Sequence, residues 1–326
     1  MQDQPQTMAA VSKCSRPAPI AVFAFRRLDL LKRTLGALEK CAGFADSPVV
    51  VFSDAARSGM PGEAQQVETL RQWLRPWCVR HGADLREAPA NIGLRASITA
   101  GVSRLVQQRG RVIVLEDDIL VSPGFLRFMN DALDAGEDRS AIYQVSGYFV
   151  PHQRSLPAVG LLRVPACWGW ATWRRAWRSY SDDAAALLDK IRQADTHVFD
   201  INGSYGNLEA LQRNVDGTLN TWFVRWYASV FLQHGLTIYP ATSLTRNIGF
   251  GGGGTNCGSG AMDRTFLRQR IDPGPVRVDW AALETTETPE YVATLEQFYR
   301  WQNLQWAKPT WRERVRGKIR RLLTRS

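Results

Sequence analysis

Apolar runs of strand length alternate with segments of helical period through the first ~150 residues, and this alternation restricts the fold more than any other feature of the chain. "PIAVFAF" (19–25) reads as a buried strand, and "DLLKRTLGALEKC" follows with Leu31, Leu35 and Leu38 at helical spacing. "PVVVFSD" (48–54) is a second strand, then "GEAQQVETLRQWLRPW" a helix with Val67, Leu70 and Leu74 on one face. "ADLREA" is a short strand, and "ASITAGVSRLVQQRG" a helix stopped by Gly110. "RVIVL" is a strand, "SPGFLRFMNDALDAG" a helix with Ser122 as N-cap and Pro123 at its first position, and "AIYQVSGY" another strand. Strands in such an order form an α/β fold: a mostly parallel sheet with helices on both faces. Ligands of such sheets sit at the carboxyl ends of the strands.

Those ends carry the candidate chemistry. "RVIVL" runs into Glu116, Asp117 and Asp118, three adjacent acids that repel one another. One reading is a solvated turn before a helix mouth, where acids are favoured by the dipole. The other is a site for Mg2+ or Mn2+, which take oxygen ligands, commonly one or two carboxylates plus substrate phosphates. No Walker A loop is present, because "GFGGGGTNCG" (249–258) lacks the Lys-Ser/Thr pair. Phosphates would therefore be held by metal, arginine and backbone amides. Arg26 follows the first strand, Asp54 ends the second, and Asn91 and Arg95 lie in "NIGLRAS" at a helix start, positions from which all four can converge on one crevice. Each also has a plain alternative: surface charge, turn acid or N-cap.

At 326 residues the expectation is one large α/β domain with additions, or two lobes. The five cysteines form no C-x-x-C pair and fit no zinc spacing, which points to a reducing compartment. "MQDQPQTMAAVSKCSRPAP" has no basic segment followed by an apolar one, and no apolar run approaches the ~20 residues of a membrane span. A cytoplasmic protein is expected, with a disordered arm over 1–17. The net charge is +10, yet eight basic residues and one acid lie between Lys308 and Ser326, so +7 belongs to the tail and +3 to the rest.

Six stretches, "PIAVFAFRRLDLLKRTLGAL", "VVVFSDAAR", "NIGLRASITAGVSRLV", "VIVLEDDILVSPGFLRFMNDAL", "CWGWATWRRAW" and "SLTRNIGFGGGGTNCG", come in the order seen in a bacterial GT-A-fold glycosyltransferase group, family-2-like, that resembles N-acetylglucosaminyltransferase I. The resemblance covers about residues 18 to 265. It implies a nucleotide-sugar donor, in the first place a UDP-sugar, a Mn2+ or Mg2+ ion, and inversion at the anomeric carbon. Carried over by position, Asp118 matches the metal ligand, and Glu116 and Asp117 match donor contacts. Phe25, Arg26 and Asp54 match the uridine pocket, and Asn91 and Arg95 the diphosphate or base. Gly169 and Trp170 fall in the sugar-side segment with Trp168 and Trp173. Gly254, Thr255 and Asn256 fall in a loop that orders over the donor, where glycines suit both movement and close approach to phosphate. Any of these tryptophans has core packing as its ordinary role. The expected boundaries are 18–150 for the nucleotide-sugar half, 151–305 for the acceptor side, and 306–326 for a basic tail.

One departure concerns the catalytic base. In the family an acid often follows a tryptophan in the segment that here reads Trp222-Phe223-Val224-Arg225. An inverting displacement needs a group to take the acceptor's proton. Asp216, close to that segment, is the first candidate, followed by Asp183 and Glu209. In the tail, Trp311, Val315, Ile319 and Leu322 or Leu323 recur at helical spacing among arginines. That pattern suits an anionic inner-membrane surface, and equally a solvated basic helix. The acceptor expected is a glycan or a lipid-linked glycan. Three rival functions remain: a nucleic-acid-binding arm, against which the body's small charge counts; a nucleotidyltransferase, against which the missing phosphate loop counts; and a non-catalytic sugar-binding relative.

Overall fold

The structure is a computed structural model and describes residues 16–250 and 265–306. Its centre is an eight-stranded sheet: β1 (Ile20–Ala24), β2 (Val49–Ser53), β3 (Asp84–Glu87), β4 (Arg111–Glu116), β6 (Ile142–Ser146), β7 (Val159–Leu162), β8 (Trp170–Trp173) and β9 (Leu236–Pro240). The strand order is β3-β2-β1-β4-β8-β6-β9-β7. β3, β2, β1 and β4 pair in parallel, β8 runs antiparallel between β4 and β6, β9 is parallel to β6, and β7 closes the edge antiparallel to β9. Six of the eight strands therefore share one direction, which is the mostly parallel α/β sheet expected from the sequence. A separate two-stranded ribbon pairs β5 (Ile119–Val121) with β10 (Thr245–Asn247), antiparallel.

Helices α1 (Leu28–Leu38), α2 (Glu63–His81), α3 (Gly93–Arg109) and α4 (Phe125–Gly136) alternate with the strands of the first half. The α1 stripe read from the sequence, Leu31, Leu35 and Leu38, is buried in the main core, as are Ile98, Val102, Leu105 and Val106 on α3. Gly110 ends α3 in the left-handed conformation, as expected. α4 departs from expectation. Ser122 is not its cap: the helix begins at Phe125 after Gly124, the Ser122 carbonyl accepts from Phe125 N at 3.0 Å, and the Ser122 hydroxyl is buried without a partner. The Ser-Pro pair makes the turn before the helix.

The second half adds α5 (Arg174–Trp177), α6 (Ala184–Gln193), α7 (Thr196–Phe199), α8 (Asn207–Val215), α9 (Phe223–Phe231) and α10 (Pro289–Trp306). α6, α7, α8 and α9 bury their own cluster, with Leu188, Ile191, Phe199, Leu211 and Tyr227 at its centre. α10 closes a third cluster through Tyr291, Leu295 and Phe298. In the arm expected to be disordered over 1–17, residues 16 and 17 are described, and Arg111 Nη2 donates to the Arg16 carbonyl at 2.8 Å.

α3 approaches the sheet closely at Gly101, where an added Cβ would stand 2.7 Å from the Phe23 ring, itself stacked on Phe52 at 4.9 Å. Gly36 on α1 has open space instead. Gly101→Val is expected to cost about 1–3 kcal/mol by overpacking. Gly36→Ala is expected to gain about 0.5–1 kcal/mol from helix entropy alone. Urea unfolding midpoints of the two variants, moving in opposite directions, check the pair.

Candidate active site

β4 ends at Glu116, a tight turn carries Asp117 and Asp118, and β5 leads the chain away against β10. The turn is fixed from outside: the Thr34 hydroxyl on α1 donates to the Asp117 carbonyl at 3.0 Å, and Ile248 N donates to the Asp118 carbonyl at 2.8 Å. The two aspartates are 3% and 5% exposed. Buried carboxylates require a cation or a proton. The cation is Arg27, whose Nη2 bonds an Asp117 oxygen and lies 2.8 Å from Asp118 Oδ2, with Nε at 3.4 Å from the other Asp117 oxygen.

One guanidinium cannot balance three acids. Burial, then the charges of Asp118 and Asp117, push the Glu116 carboxyl up to about 8 despite Arg27. Burial also raises Asp117, to about 6, against the opposing pull of Arg27. Burial disfavours the Arg27 charge, but the two aspartates outweigh that and raise its pKa. The cluster as it stands is short of positive charge.

Over it lies Gly249. Its amide donates to Asn247 Oδ1 at 2.7 Å, and a Cβ at this position would fall inside van der Waals contact of Asp118 Oδ2 and 3.1 Å from Arg27 Nη1. A side chain here would require the Asp118 carboxylate or Arg27 to shift. Phe250 and Phe266, on either side of residues 251–264, stack at 4.8 Å and both meet Trp168. Gly254, Thr255 and Asn256 lie outside the described residues.

Two further groups sit at the carboxyl ends of β1 and β2. The first is a rim of Phe25, Arg26, Arg57 and Glu63. The guanidinium carbons of Arg26 and Arg57 lie 5.8 and 6.0 Å from the Phe25 ring centre, and both arginines pair with Glu63, at 3.1 and 2.7 Å. The second is built on Asp54, which accepts from the amides of Ala55 (2.8 Å), Ile92 (3.0 Å) and Gly93 (2.8 Å) and from Asn91 Nδ2 (3.0 Å). This carboxylate holds the N-terminus of α3 against β2, and Asn91 is its partner.

Arg95, in the first turn of α3, reaches across to the second half. Its Nε donates to Asn220 Oδ1 at 2.7 Å and its Nη1 bonds Asp182. Asp182 also accepts from the Tyr180 hydroxyl at 3.0 Å, and its backbone carbonyl accepts from Arg225 Nε at 3.1 Å. Tyr180 in turn stacks on Trp177 at 4.7 Å.

The tryptophans divide. Trp170 is 0% exposed and stacks on Trp222 at 5.1 Å, so it lies in the core below the crevice and offers no open face to a sugar. Trp173 is equally buried. Trp168 is half-buried, with its edge-on contacts to Tyr148, Phe250 and Phe266. Gly169 takes a left-handed conformation (φ +80°), and a side chain there would meet the Thr245 methyl at 2.8 Å.

Among the described residues no hydrogen bond, ion pair or ring contact joins the three base candidates to the acid triplet. Asp183 caps α6 through Ala186 N at 2.9 Å, Asp216 ends α8 and accepts from Gln212 at 2.7 Å, and Glu209 is exposed on α8's first turn. The residues that the sequence did not single out are Arg27, Glu63, Asp182 and Gly249. The doubled arginine after β1 was the visible signal for the first, and the start of the glycine run for the last.

As a metal site the triplet fits in kind. Its donors are hard carboxylate oxygens already holding a cationic group, although no set of three His, Cys, Asp or Glu side chains surrounds a single cation position among the described residues. One or two carboxylates completed by ligand oxygens is the arrangement Mg2+ and Mn2+ accept.

No family model matches the chain, and no curated protein sequence matches it. Solved structures do. A mannosyltransferase from Pyrobaculum calidifontis, in complex with GDP-Man and Mn2+, is 11% identical over 70% of this chain and 73% of that one, with a TM-score of 0.37. S. aureus TarS 1-349 is 11% identical over 70% of this chain and 59% of its own, with a TM-score of 0.39. The glycosyltransferase GlyE of Streptococcus pneumoniae TIGR4 is 12% identical over 61% of this chain and 43% of its own, with a TM-score of 0.33. No residue role follows from likenesses this distant.

Glu63 gives the pH test of this rim. Hydrogen bonds from the Arg57 side chain, opposed by desolvation, hold its carboxyl down at about 2, against an ordinary 4.5. A carboxyl depressed on folding contributes stability above its unfolded pKa and loses it as pH falls toward the folded value. The native chain is thus expected to lose stability between about pH 4.5 and 2 more steeply than Glu63→Gln, as read by urea midpoints at stepped pH.

Proposed function

We propose that this chain is a metal-dependent, inverting glycosyltransferase. It moves a hexosyl or N-acetylhexosaminyl group from a nucleotide-sugar, in the first place a UDP-sugar, to a glycan or lipid-linked glycan acceptor of surface polysaccharide assembly. The observation that supports it most is the buried Asp117–Asp118 pair, clamped by Arg27 at the carboxyl end of a central strand and covered by a glycine backbone. A structural turn would not bury carboxylates under a backbone that excludes even a Cβ. A site for a cation and a diphosphate has reason to.

Asp118 would hold Mn2+ or Mg2+, with Glu116 and Asp117 beside the donor; such an ion, when bound, supplies charge neutralisation for the departing diphosphate. Arg27 is placed to share that charge, since a guanidinium that grips carboxylate oxygens grips phosphate oxygens by the same fork. Phe25, with Arg26 and Arg57 near its ring, is the aromatic group at this rim for a nucleobase to pack against. Asp54 serves by position: with its oxygens filled, it fixes Asn91 and the start of α3.

For the acceptor's proton, Asp182 is a better candidate than Asp216, Asp183 or Glu209. Its carboxylate is exposed and anchored from both halves, by Arg95 on α3 and by Tyr180 stacked over the tryptophan cluster beneath the crevice. Burial, which disfavours its charge, is outweighed by the hydrogen bonds from Arg95 and Tyr180, and its pKa is lowered.

Calorimetric titration of UDP with Mn2+ and with EDTA tests the site. Metal-dependent binding that is lost in Asp118→Asn is expected. If UDP, GDP and dTDP all fail to bind under either condition, the reading is overturned. In a donor-hydrolysis and transfer assay, Asp182→Asn is expected to lower kcat for transfer by about 10²-fold or more. Its UDP affinity should be unchanged, and an equal loss of both would make Asp182 a structural joint only.

A further inference from the structure

Arg27 stands against the oxygens that a divalent ion in the crevice would need. Its Nη2 bonds Asp117 and lies 2.8 Å from Asp118 Oδ2, and its Nε lies 3.4 Å from the other Asp117 oxygen. The Gly249 backbone closes the same space, since a Cβ there would fall inside van der Waals contact of Asp118 Oδ2 and 3.1 Å from Arg27 Nη1. Mg2+ binds oxygen at about 2.0–2.1 Å. On Asp118 Oδ2 such an ion would stand beside the guanidinium, and two cations on one carboxylate repel strongly where water is excluded.

Arg27 is not tied down from elsewhere. It lies in the bend between β1 and α1, its side chain is 22% exposed, and among the described residues its ion pairs are with these two aspartates alone. Its neighbour Arg26 is engaged with Glu63 at 3.1 Å. A guanidinium released from Asp118 needs another oxyanion. A metal on Asp118 needs further oxygens as well, because no set of three His, Cys, Asp or Glu side chains surrounds one cation position among the described residues. One ligand meets both shortages. A diphosphate has oxygens on two phosphorus atoms, enough to ligate the ion and to accept the arginine fork.

We propose that Arg27 is a specificity residue that makes a diphosphate the condition for metal binding. It holds Asp118 until a nucleoside diphosphate arrives with the ion, and then passes to phosphate. Metal alone is disfavoured because it must displace an arginine that is left without a partner. A nucleoside monophosphate is disfavoured because its single phosphate has to serve both cations. The inference rests on the reading of this crevice as a metal and diphosphate site.

Mn2+ binding by the full chain tests it, read from the loss of the free-ion electron paramagnetic resonance signal and corrected with a protein-free blank for Mn2+ held by nucleotide alone. The native chain is measured without nucleotide, with UMP and with UDP. Binding about tenfold or more tighter with UDP than without is expected, with a much smaller gain from UMP. Arg27→Gln is expected to bind Mn2+ alone about tenfold more tightly than the native chain and to gain less from UDP. Its urea midpoint shows whether it folds; where it does not, the comparison within the native chain decides. Equal Mn2+ affinity of the native chain with and without UDP overturns the proposal and leaves the metal site standing. So does an equal gain from UMP, or a folded Arg27→Gln chain with unchanged Mn2+ affinity. Absence of Mn2+ binding by both chains under every condition overturns the metal reading itself, and this inference with it.

Discussion

The bond between Arg27 and the two aspartates after β4 is the constraint around which the crevice is arranged. A hydrophobic strand that ends in three acids is costly unless the charge is met at once, because the parallel sheet buries its strand ends under the following loops. Arg27 meets part of it, from the short segment that joins α1 to β1, the neighbour to which β4 is hydrogen-bonded. The side chains that cover the site follow. Thr34 on α1 ties the turn, β10 returns alongside β5, and Gly249 brings backbone where any side chain would collide. Glu116, raised first by burial and then by the charges of Asp118 and Asp117, adds a third acid to the cluster, which a further cation would help to neutralise.

A second joint lies at β2. Asp54 spends both oxygens on the entry of α3, so the helix N-terminus and the strand end move as one body. One turn further on, Arg95 carries that rigidity to Asp182 and Asn220 in the second half. The crevice is thus framed by ion pairs that cross between elements. Its arginines, Arg26, Arg27, Arg57 and Arg95, each already face a carboxylate. An incoming diphosphate would exchange partners with these carboxylates rather than meet free charge, and this favours selectivity over non-specific anion binding.

The layered sheet was legible because its evidence is local. Buried strands read as continuous apolar runs, helices as a 3.6-residue period, and Gly110 as a stop. The acid triplet was legible as a cluster for the same reason. The partner was not. Arg26 and Arg27 are adjacent in the bend between β1 and α1, yet they take different partners. One meets Glu63 and the other Asp117, contacts 37 and 90 residues apart in sequence that no spacing rule connects. Trp170 reads the same whether its ring faces sugar or core, and only the neighbours Trp222, Trp177 and Trp226 decide for the core. Ser122 satisfied the cap pattern, yet the chain needed Pro123 and Gly124 to turn before the helix began, since Gly124 packs against the backbone of Gly274.

The uneven charge of the chain then has a structural meaning. Outside its last nineteen residues the chain carries only +3, and the arginines around the crevice each face a carboxylate. The +7 that follows lies outside the described residues and stands in a sequence with a single acid. Long-range attraction depends on net charge, whereas local geometry depends on paired charge. The paired set around the crevice, Arg26, Arg27, Arg57 and Arg95, is therefore suited to hold a small, highly charged ligand in one orientation.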